Sequence, residues 1–213
     1  MIDPEEARAK LDGARVYLVT DGRDGGRELR SFLDDVLGAG VDVLQLREKE
    51  LEAGPILERA AIFREACDRH GVPFIVNDRA DLAIAAGADG VHLGQDDLPI
   101  EAARQIVGRS MIVGRSTHDP DQVRRAERED VDYVAVGPVN ETPTKPGRQA
   151  AGIELLPVAA RTLTKPWFAI GGIDTSNIAA VREIGATRVV IVRALTQARD
   201  PVAALKALRS AFD

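Results

Sequence analysis

Cysteine is almost absent: Cys67 is the only one in 213 residues. No internal disulfide can form, which excludes a stapled secreted scaffold and suits a reducing compartment. No stretch approaches the ~20 consecutive apolar residues that a membrane-spanning helix needs. The opening residues, Met1 to Arg8, lack a basic segment followed by an apolar run, so no secretory signal is expected. Positive charge is not in excess. With 28 Lys and Arg against 34 Asp and Glu the formal net charge is −6, so there is no basic footprint for nucleic acid. Any anionic ligand must then be held by locally placed cations. The three histidines, His70, His92 and His118, show no metal-ligand spacing, and a zinc site is not expected. These absences leave a cytoplasmic protein without nucleic-acid or membrane partners; a homo-oligomer stays open.

What is present points to a packed α/β chain. The apolar fraction is 45% and the charged fraction 29%, both near globular averages. A chain of this length buries roughly 70% of the surface exposed when unfolded. Short β-branched runs recur at Val16–Val19, Val41–Leu46, Phe74–Val76, Val91–Leu93, Met111–Val113, Tyr133–Val136, Trp167–Ile170 and Val189–Val192. They are nearly continuous in apolar residues, as strands covered on both faces are. Between them lie segments of helical spacing. Ile56, Ala60, Phe63 and Cys67 form one stripe that stops at Gly71 before Pro73. Asp119-Pro120 and Asp200-Pro201 each put a capping residue ahead of a first-turn proline. Val202, Leu205, Leu208 and Phe212 form the inward stripe of the last helix. Cys67 and Trp167 read as packing residues.

Eight strand-helix units predict a single-domain (β/α)8 TIM barrel over residues 1–213. A weak repeat agrees with it. Small residues and an acid or threonine precede the second, fourth, sixth and eighth strands, at Gly40-Val41-Asp42, Ala88-Asp89-Gly90, Val131-Asp132 and Gly185-Ala186-Thr187. Helix-to-strand turns favour Gly and Asp in any case, so the repeat alone does not decide. The rival, a doubly wound open sheet, carries a glycine fingerprint in its first turn, and Val19-Thr20-Asp21-Gly22 is no such fingerprint.

The active site of such a barrel lies at the carboxyl ends of its strands. There the sequence places Gln45-Leu46-Arg47-Glu48-Lys49, Asn77-Asp78-Arg79, Gly94-Gln95-Asp96-Asp97, Gly114-Arg115-Ser116-Thr117-His118, a polar loop from Thr142 to Arg148, Gly171-Gly172 and Val192-Arg193. Asp78 and Asp97 follow neighbouring strands, which run ~5 Å apart, so both can reach one hard cation. Mg²⁺ takes one or two carboxylates and bridges to substrate phosphates; the alternative is that each aspartate caps a helix. Arg47 and Lys49 fall on one side of an extended segment and, with Lys145, supply charge for a pyrophosphate, or else are solvated rim charges. Gly171-Gly172 offers bare backbone N–H groups to a second anion, or is only a tight turn. Together they describe transfer of a carbon group from a pyrophosphate to a phosphorylated acceptor.

These residues resemble the thiamine-phosphate synthase family, which also includes thiazole tautomerases. The resemblance runs from Tyr17-Leu18-Val19-Thr20-Asp21 almost to the C-terminus. It rests on Gln45-x-Arg47-Glu48-Lys49, Val76-Asn77-Asp78, His92-Leu93-Gly94-Gln95-x-Asp97, Gly114-x-Ser116-x-His118, Gly137-Pro138 with Thr142-Pro143-Thr144-Lys145, and Ala169-Ile170-Gly171-Gly172-Ile173. It implies a barrel that joins a hydroxymethylpyrimidine diphosphate to a thiazole phosphate, or its carboxylated form, by dissociative loss of pyrophosphate. It implies that Gln45, Leu46, Arg47, Glu48, Lys49, Asn77, Ser116 and Lys145 surround the pyrimidine diphosphate. Arg47, Lys49, Ser116 and Lys145 are implied in catalysis. Asp78 and Asp97 are implied to bind one Mg²⁺, and Thr142, Pro143, Thr144, Gly172, Val192 and Arg193 to hold the thiazole phosphate. In one departure, the family commonly has an aromatic residue two positions after the Gly-Pro, where this chain has Asn140. The complete aspartate pair and the Thr-x-Thr-Lys loop argue against the tautomerase branch. A non-catalytic phosphate-binding barrel is the remaining alternative, though a sensor needs no metal pair beside a second anion site.

Overall fold

Eight parallel strands close on themselves in chain order: β1 (Val16–Thr20), β2 (Val43–Leu46), β3 (Phe74–Asn77), β4 (Gly90–Leu93), β5 (Ile112–Thr117), β6 (Tyr133–Val136), β7 (Trp167–Ile170) and β8 (Val189–Ile191). β8 returns to pair with β1, with Val16 opposite Val189. This computed structural model describes residues 2–22, 28–140 and 151–212. The helices are α1 (Pro4–Gly13), α2 (Leu29–Gly38), α3 (Ala53–His70), α4 (Ala80–Ala85), α5 (Ile100–Val107), α6 (Pro120–Arg128), α7 (Leu155–Thr162), α8 (Ile178–Glu183), α9 (Arg193–Thr196) and α10 (Pro201–Arg209). The expected TIM barrel is the observed fold. None of these helices is long and apolar enough to cross a membrane.

The predicted punctuation is in place. Helix α3 buries Ile56, Ala60, Phe63 and Cys67 and ends at Gly71 in a left-handed conformation, φ 63°. Asp119 and Asp200 cap α6 and α10, accepting from the amides of Gln122 (2.8 Å) and Ala203 (2.9 Å). Cys67 and Trp167 belong to the core between barrel and helices. Along the last stripe Leu205 and Leu208 are buried, whereas Val202 and Phe212 are half-buried, Phe212 standing in a closing 3₁₀ turn.

The acids that precede the even strands have a common task. Asp42 accepts from the amides of Arg15 and Val16 (2.8 Å each), Asp89 from Phe74 (2.7 Å), and Asp132 from Val113 (2.7 Å). Each carboxylate thus fastens the amino end of the preceding odd strand. Each also pairs with an arginine of a surrounding helix: Arg209, Arg64 and Arg104, at 2.7–2.8 Å. The weak sequence repeat is therefore a structural staple used three times. The fourth unit, with Thr187 in the acid's place, has no carboxylate to do this.

Inside the barrel the side chains change character along its axis. The amino end is apolar, with Val43, Ile75, Ile112 and Phe168, and α1 seals it with Ala7 and Leu11. Toward the carboxyl end come Gln45, Asn77, His92 and Ser116, all buried. Tyr17 and Tyr133 lie at the boundary, ring centroids 5.8 Å apart and edge to face. Gly114 makes room for Tyr133. A Cβ there would stand 2.2 Å from the ring and 2.5 Å from its hydroxyl oxygen. Overpacking of this kind costs about 1–3 kcal/mol, so Gly114→Ala is expected to lower the unfolding free energy by an amount in that range, read as a fall in the urea midpoint. An unchanged midpoint would mean that the barrel interior is slack at this layer.

Candidate active site

The mouth at the carboxyl ends of the strands holds two adjoining cavities of about 530 and 450 Å³. They share Ser116, Ile170, Val190, Val192, Arg193 and Gln197 as a common wall. The larger sits over Tyr17, Gln45, Asn77 and His92. The other runs beside His118, Pro138 and Gly171 to Asp174. A side bay of about 250 Å³ brings Arg47, Lys49, Asn77, Asp78, Asp97 and Ser116 together. The segment with Thr142, Pro143, Thr144 and Lys145 lies outside the described residues.

Strand alternation sorts the β2 end. Gln45 points inward and gives its Nε2 hydrogen to Tyr17 Oη at 2.6 Å. Leu46 packs outward in the barrel-helix core, so only its backbone is available to the mouth. Glu48 is drawn away into an ion pair with Arg59 of α3 at 2.5 Å. Arg47 and Lys49 lie on the same side, as alternation predicts.

Asp78 and Asp97 meet. Asp78 adopts a left-handed conformation, φ 63°, alone among the described non-glycine residues, and aspartate tolerates this better than most residues. It binds Lys49 Nζ at 2.9 Å. Burial and the adjacent Asp97 carboxylate, partly offset by Lys49, push the Asp78 carboxyl above its ordinary value. Burial works in the same direction on Asp97. The hydrogen bond from Asp78, the Gly94 amide (2.7 Å) and Lys49 outweigh it and hold Asp97 low. The two carboxyls thus shift in opposite directions, as like charges in a confined space do. Neither aspartate caps a helix: Arg79 stands at the N-cap of α4 and Pro99 at that of α5. The helix-cap alternative is excluded by the fold. Among the described residues no three His, Cys, Asp or Glu side chains cluster as a metal site. A cation here would draw only two protein carboxylates and complete its shell with water and ligand oxygens, the habit of Mg²⁺.

One further group awaits a partner. Asn77 is 8% exposed, and its Nδ2 has no hydrogen-bond acceptor. A buried donor left unmatched costs about 1–3 kcal/mol, and this one lines the larger cavity, where a ligand oxygen could accept from it.

On the other side, Gly171 and Gly172 both have positive φ, 109° and 58°. A Cβ on Gly171 would lie 2.4 Å from Pro138. Asn140, at the position where the family commonly has an aromatic residue, donates to the carbonyls of Gly171 (3.4 Å) and Gly172 (3.3 Å), and Asn177 Nδ2 to that of Gly172 (2.7 Å). Hydrogen bonds thus tie the β6 and β7 loops together where stacking is absent. Val192 and Arg193 open α9 on the common wall of the two cavities.

Several mouth residues carry no role in the sequence reading. Gln95 donates to the Ser116 carbonyl at 2.6 Å, His118 contacts the Gly137 carbonyl through Nδ1 at 2.5 Å, and Thr196 and Gln197 line the larger cavity. Gln95 and His118 stand inside recognisable motifs; Thr196 and Gln197 have no local signal, because they reach the mouth only through the turn into α9.

A closed (β/α)8 barrel with paired carboxylates, cations and a glycine pair at its mouth defines an enzyme acting on small phosphorylated molecules. Residues 16–195 match the family model described as thiamine monophosphate synthase, and the chain belongs to that family. It is 53% identical over 211 residues to the thiamine-phosphate synthase of Saccharopolyspora erythraea, covering 95% of each chain. It is 54% identical over 199 residues to that of Acidothermus cellulolyticus, covering 92% of this chain and 94% of the relative. A solved structure of thiamine phosphate pyrophosphorylase from Pyrococcus furiosus superposes with a TM-score of 0.85 at 30% identity, over 96% of each chain.

Proposed function

We propose that the chain makes thiamine phosphate by joining 4-amino-2-methyl-5-hydroxymethylpyrimidine diphosphate to 4-methyl-5-(2-phosphoethyl)thiazole, or its carboxylated form. Pyrophosphate is the other product, together with CO₂ where the acceptor is the carboxylated form. The observation that carries the reading is the bay in which Asp78, Asp97, Lys49 and Arg47 converge at Ser116, where the two cavities meet. A diphosphate and a monophosphate can lie there side by side.

In this reading Asp78 and Asp97 hold one Mg²⁺. The ion supplies charge neutralisation for the diphosphate. Arg47, Lys49 and Lys145 add positive charge around the leaving group, Asn77 gives its unmatched Nδ2 hydrogen to a diphosphate oxygen, and Gln45 and Ser116 position the pyrimidine. Thr142, Pro143, Thr144, Gly172, Val192 and Arg193 hold the acceptor phosphate. The pyrimidinylmethyl C–O bond breaks with its electron pair going to pyrophosphate. The thiazole nitrogen lone pair then forms the C–N bond. No proton need be removed, which accords with a mouth rich in cations and poor in strong bases. A cytoplasmic setting suits the one buried cysteine.

The test is direct. Purified protein with Mg²⁺ and both substrates is expected to release pyrophosphate and thiamine phosphate in equal amounts. Pyrophosphate release without the joined product, or no release at all, would overturn the assignment.

A further inference from the structure

Below the mouth a file of buried polar groups crosses the barrel. Gln45 Nε2 lies 2.6 Å from Tyr17 Oη, and Tyr17 Oη lies 2.8 Å from Tyr133 Oη. Tyr133 Oη is 2.9 Å from His92 Nδ1, and His92 Nε2 is 2.8 Å from Ser116 Oγ. All five residues are at most 6% exposed. They come from β1, β2, β4, β5 and β6, so only the closed barrel assembles the file.

The direction of the hydrogen bonds follows from counting donors. Gln45 Nε2 can only donate, so Tyr17 Oη accepts there, and among the described residues the other hydroxyl contact of Tyr17 is Tyr133. Were Tyr133 to donate toward Tyr17, the Tyr17 hydrogen would be stranded in the barrel interior, at a cost of about 1–3 kcal/mol. Tyr17 therefore donates to Tyr133, and Tyr133 to His92 Nδ1. His92 is then neutral with its hydrogen on Nε2, which donates to Ser116 Oγ. Burial raises both phenols far above their ordinary values, so the donors remain protonated. The Tyr133 ring stacks against the His92 imidazole, centroids 5.4 Å apart and 29° between planes, and Gly114 leaves the space it needs.

We infer that Tyr17 and Tyr133 are positioning residues which, through a neutral Nε2–H His92, make the Ser116 hydroxyl an acceptor from below and keep its hydrogen available to the cavity. The Ser116 hydrogen is thereby free for an acceptor atom of the ligand, an unprotonated ring nitrogen or a phosphate oxygen. The file also occupies one amide hydrogen of Gln45 and leaves its Oε1 as an acceptor. The inference rests on the proposed function only for the identity of the ligand.

The experiment needs no substrate. The full chain labelled with ¹⁵N-histidine is recorded at neutral pH by long-range ¹H–¹⁵N correlation, with His92 assigned by loss of its signals in His92→Gln. The expected pattern is a neutral Nε2–H ring with an unprotonated Nδ1. Tyr133→Phe, which keeps the ring and removes only the hydroxyl, is expected to shift His92 toward a mixture of tautomers. An Nδ1–H or doubly protonated His92 in the unsubstituted chain would overturn the inference, as would unchanged His92 signals in folded Tyr133→Phe. If Tyr133→Phe does not fold, Tyr17→Phe makes the same comparison one link earlier, and the spectrum of the unsubstituted chain decides the direction on its own. In turnover, Tyr17→Phe, Tyr133→Phe and the double variant are expected to lose a similar factor, about tenfold in kcat/KM, because neighbours in one network are not additive. Additive losses would overturn the shared file. Lack of synthase activity together with the Nε2–H tautomer would defeat the proposed function and leave the file standing.

Discussion

Asp78→Asn and Asp97→Asn are each expected to cut turnover by about a hundredfold or more, some 3 kcal/mol of transition-state stabilisation, while the chain stays folded. Asparagine removes the charge and almost nothing else. At position 78 it can keep the left-handed conformation that most residues resist, and at position 97 its Oδ1 can still accept from Gly94. Two adjacent carboxyl groups disfavour each other's charge when the ion is absent, so the thermal midpoint should hold or rise. Mg²⁺ with pyrophosphate should raise the midpoint of the unsubstituted chain, since a ligand that binds only the folded state stabilises it. Either variant should lose that rise. A variant with lowered stability and intact turnover would remove the pair from the chemistry.

The barrel, and the position of charged residues at its mouth, are legible in the sequence for different reasons. Strands buried on both faces carry nearly unbroken apolar runs, and these mark all eight. The marks fail where the site begins. The run at Met111–Val113 stops well short of the end of β5, because Gly114, Arg115, Ser116 and Thr117 continue the strand with polar or absent side chains. At β2 the expected start at Val41 moves to Val43, and the Asp42 carboxylate just before it takes the amides of Arg15 and Val16. Helix α1 has only a thin stripe, Ala7 and Leu11, because it covers the narrow end of the barrel rather than its flank. Its cap, Asp3 ahead of Pro4, is the signal that could have revealed it.

Asp78, Asp97, Arg47 and Lys49 are legible because charged residues at strand ends have few structural excuses. Which of two neighbours faces the mouth is less so: Glu48 looks as suitable as Lys49 until Arg59 takes it. The two tyrosines are the instructive failure. In mid-strand an aromatic residue reads as core, and by burial Tyr17 and Tyr133 are core. Their hydroxyls matter only because strands far apart in sequence bring them within 2.8 Å, and no local pattern encodes that meeting.

Lys49→Ala is expected to lower kcat much more than it weakens diphosphate binding. The Lys49 side chain is 47% exposed where it meets Asp78 at 2.9 Å. Exposed ion pairs contribute little, about 0–1 kcal/mol, so the fold should barely register its loss. Its position is another matter, because with the carboxyl pair and Arg47 it lines the bay proposed for the diphosphate. As the C–O bond breaks, negative charge accumulates on the departing oxygen, and an ammonium beside it is worth more in the transition state than in the ground state. Arginine at this position should rescue only partly, since a planar fork does not reproduce a compact point charge and must also satisfy Asp78. Lys145→Ala should show the same split if the two lysines share the leaving group, and the double variant should then lose less than the product of the single losses. An anchoring role predicts the reverse, a raised KM with kcat nearly intact. Single-turnover rates at saturating substrate separate the two, and an unchanged chemical step in Lys49→Ala would reduce Lys49 to a partner that merely holds Asp78 in place.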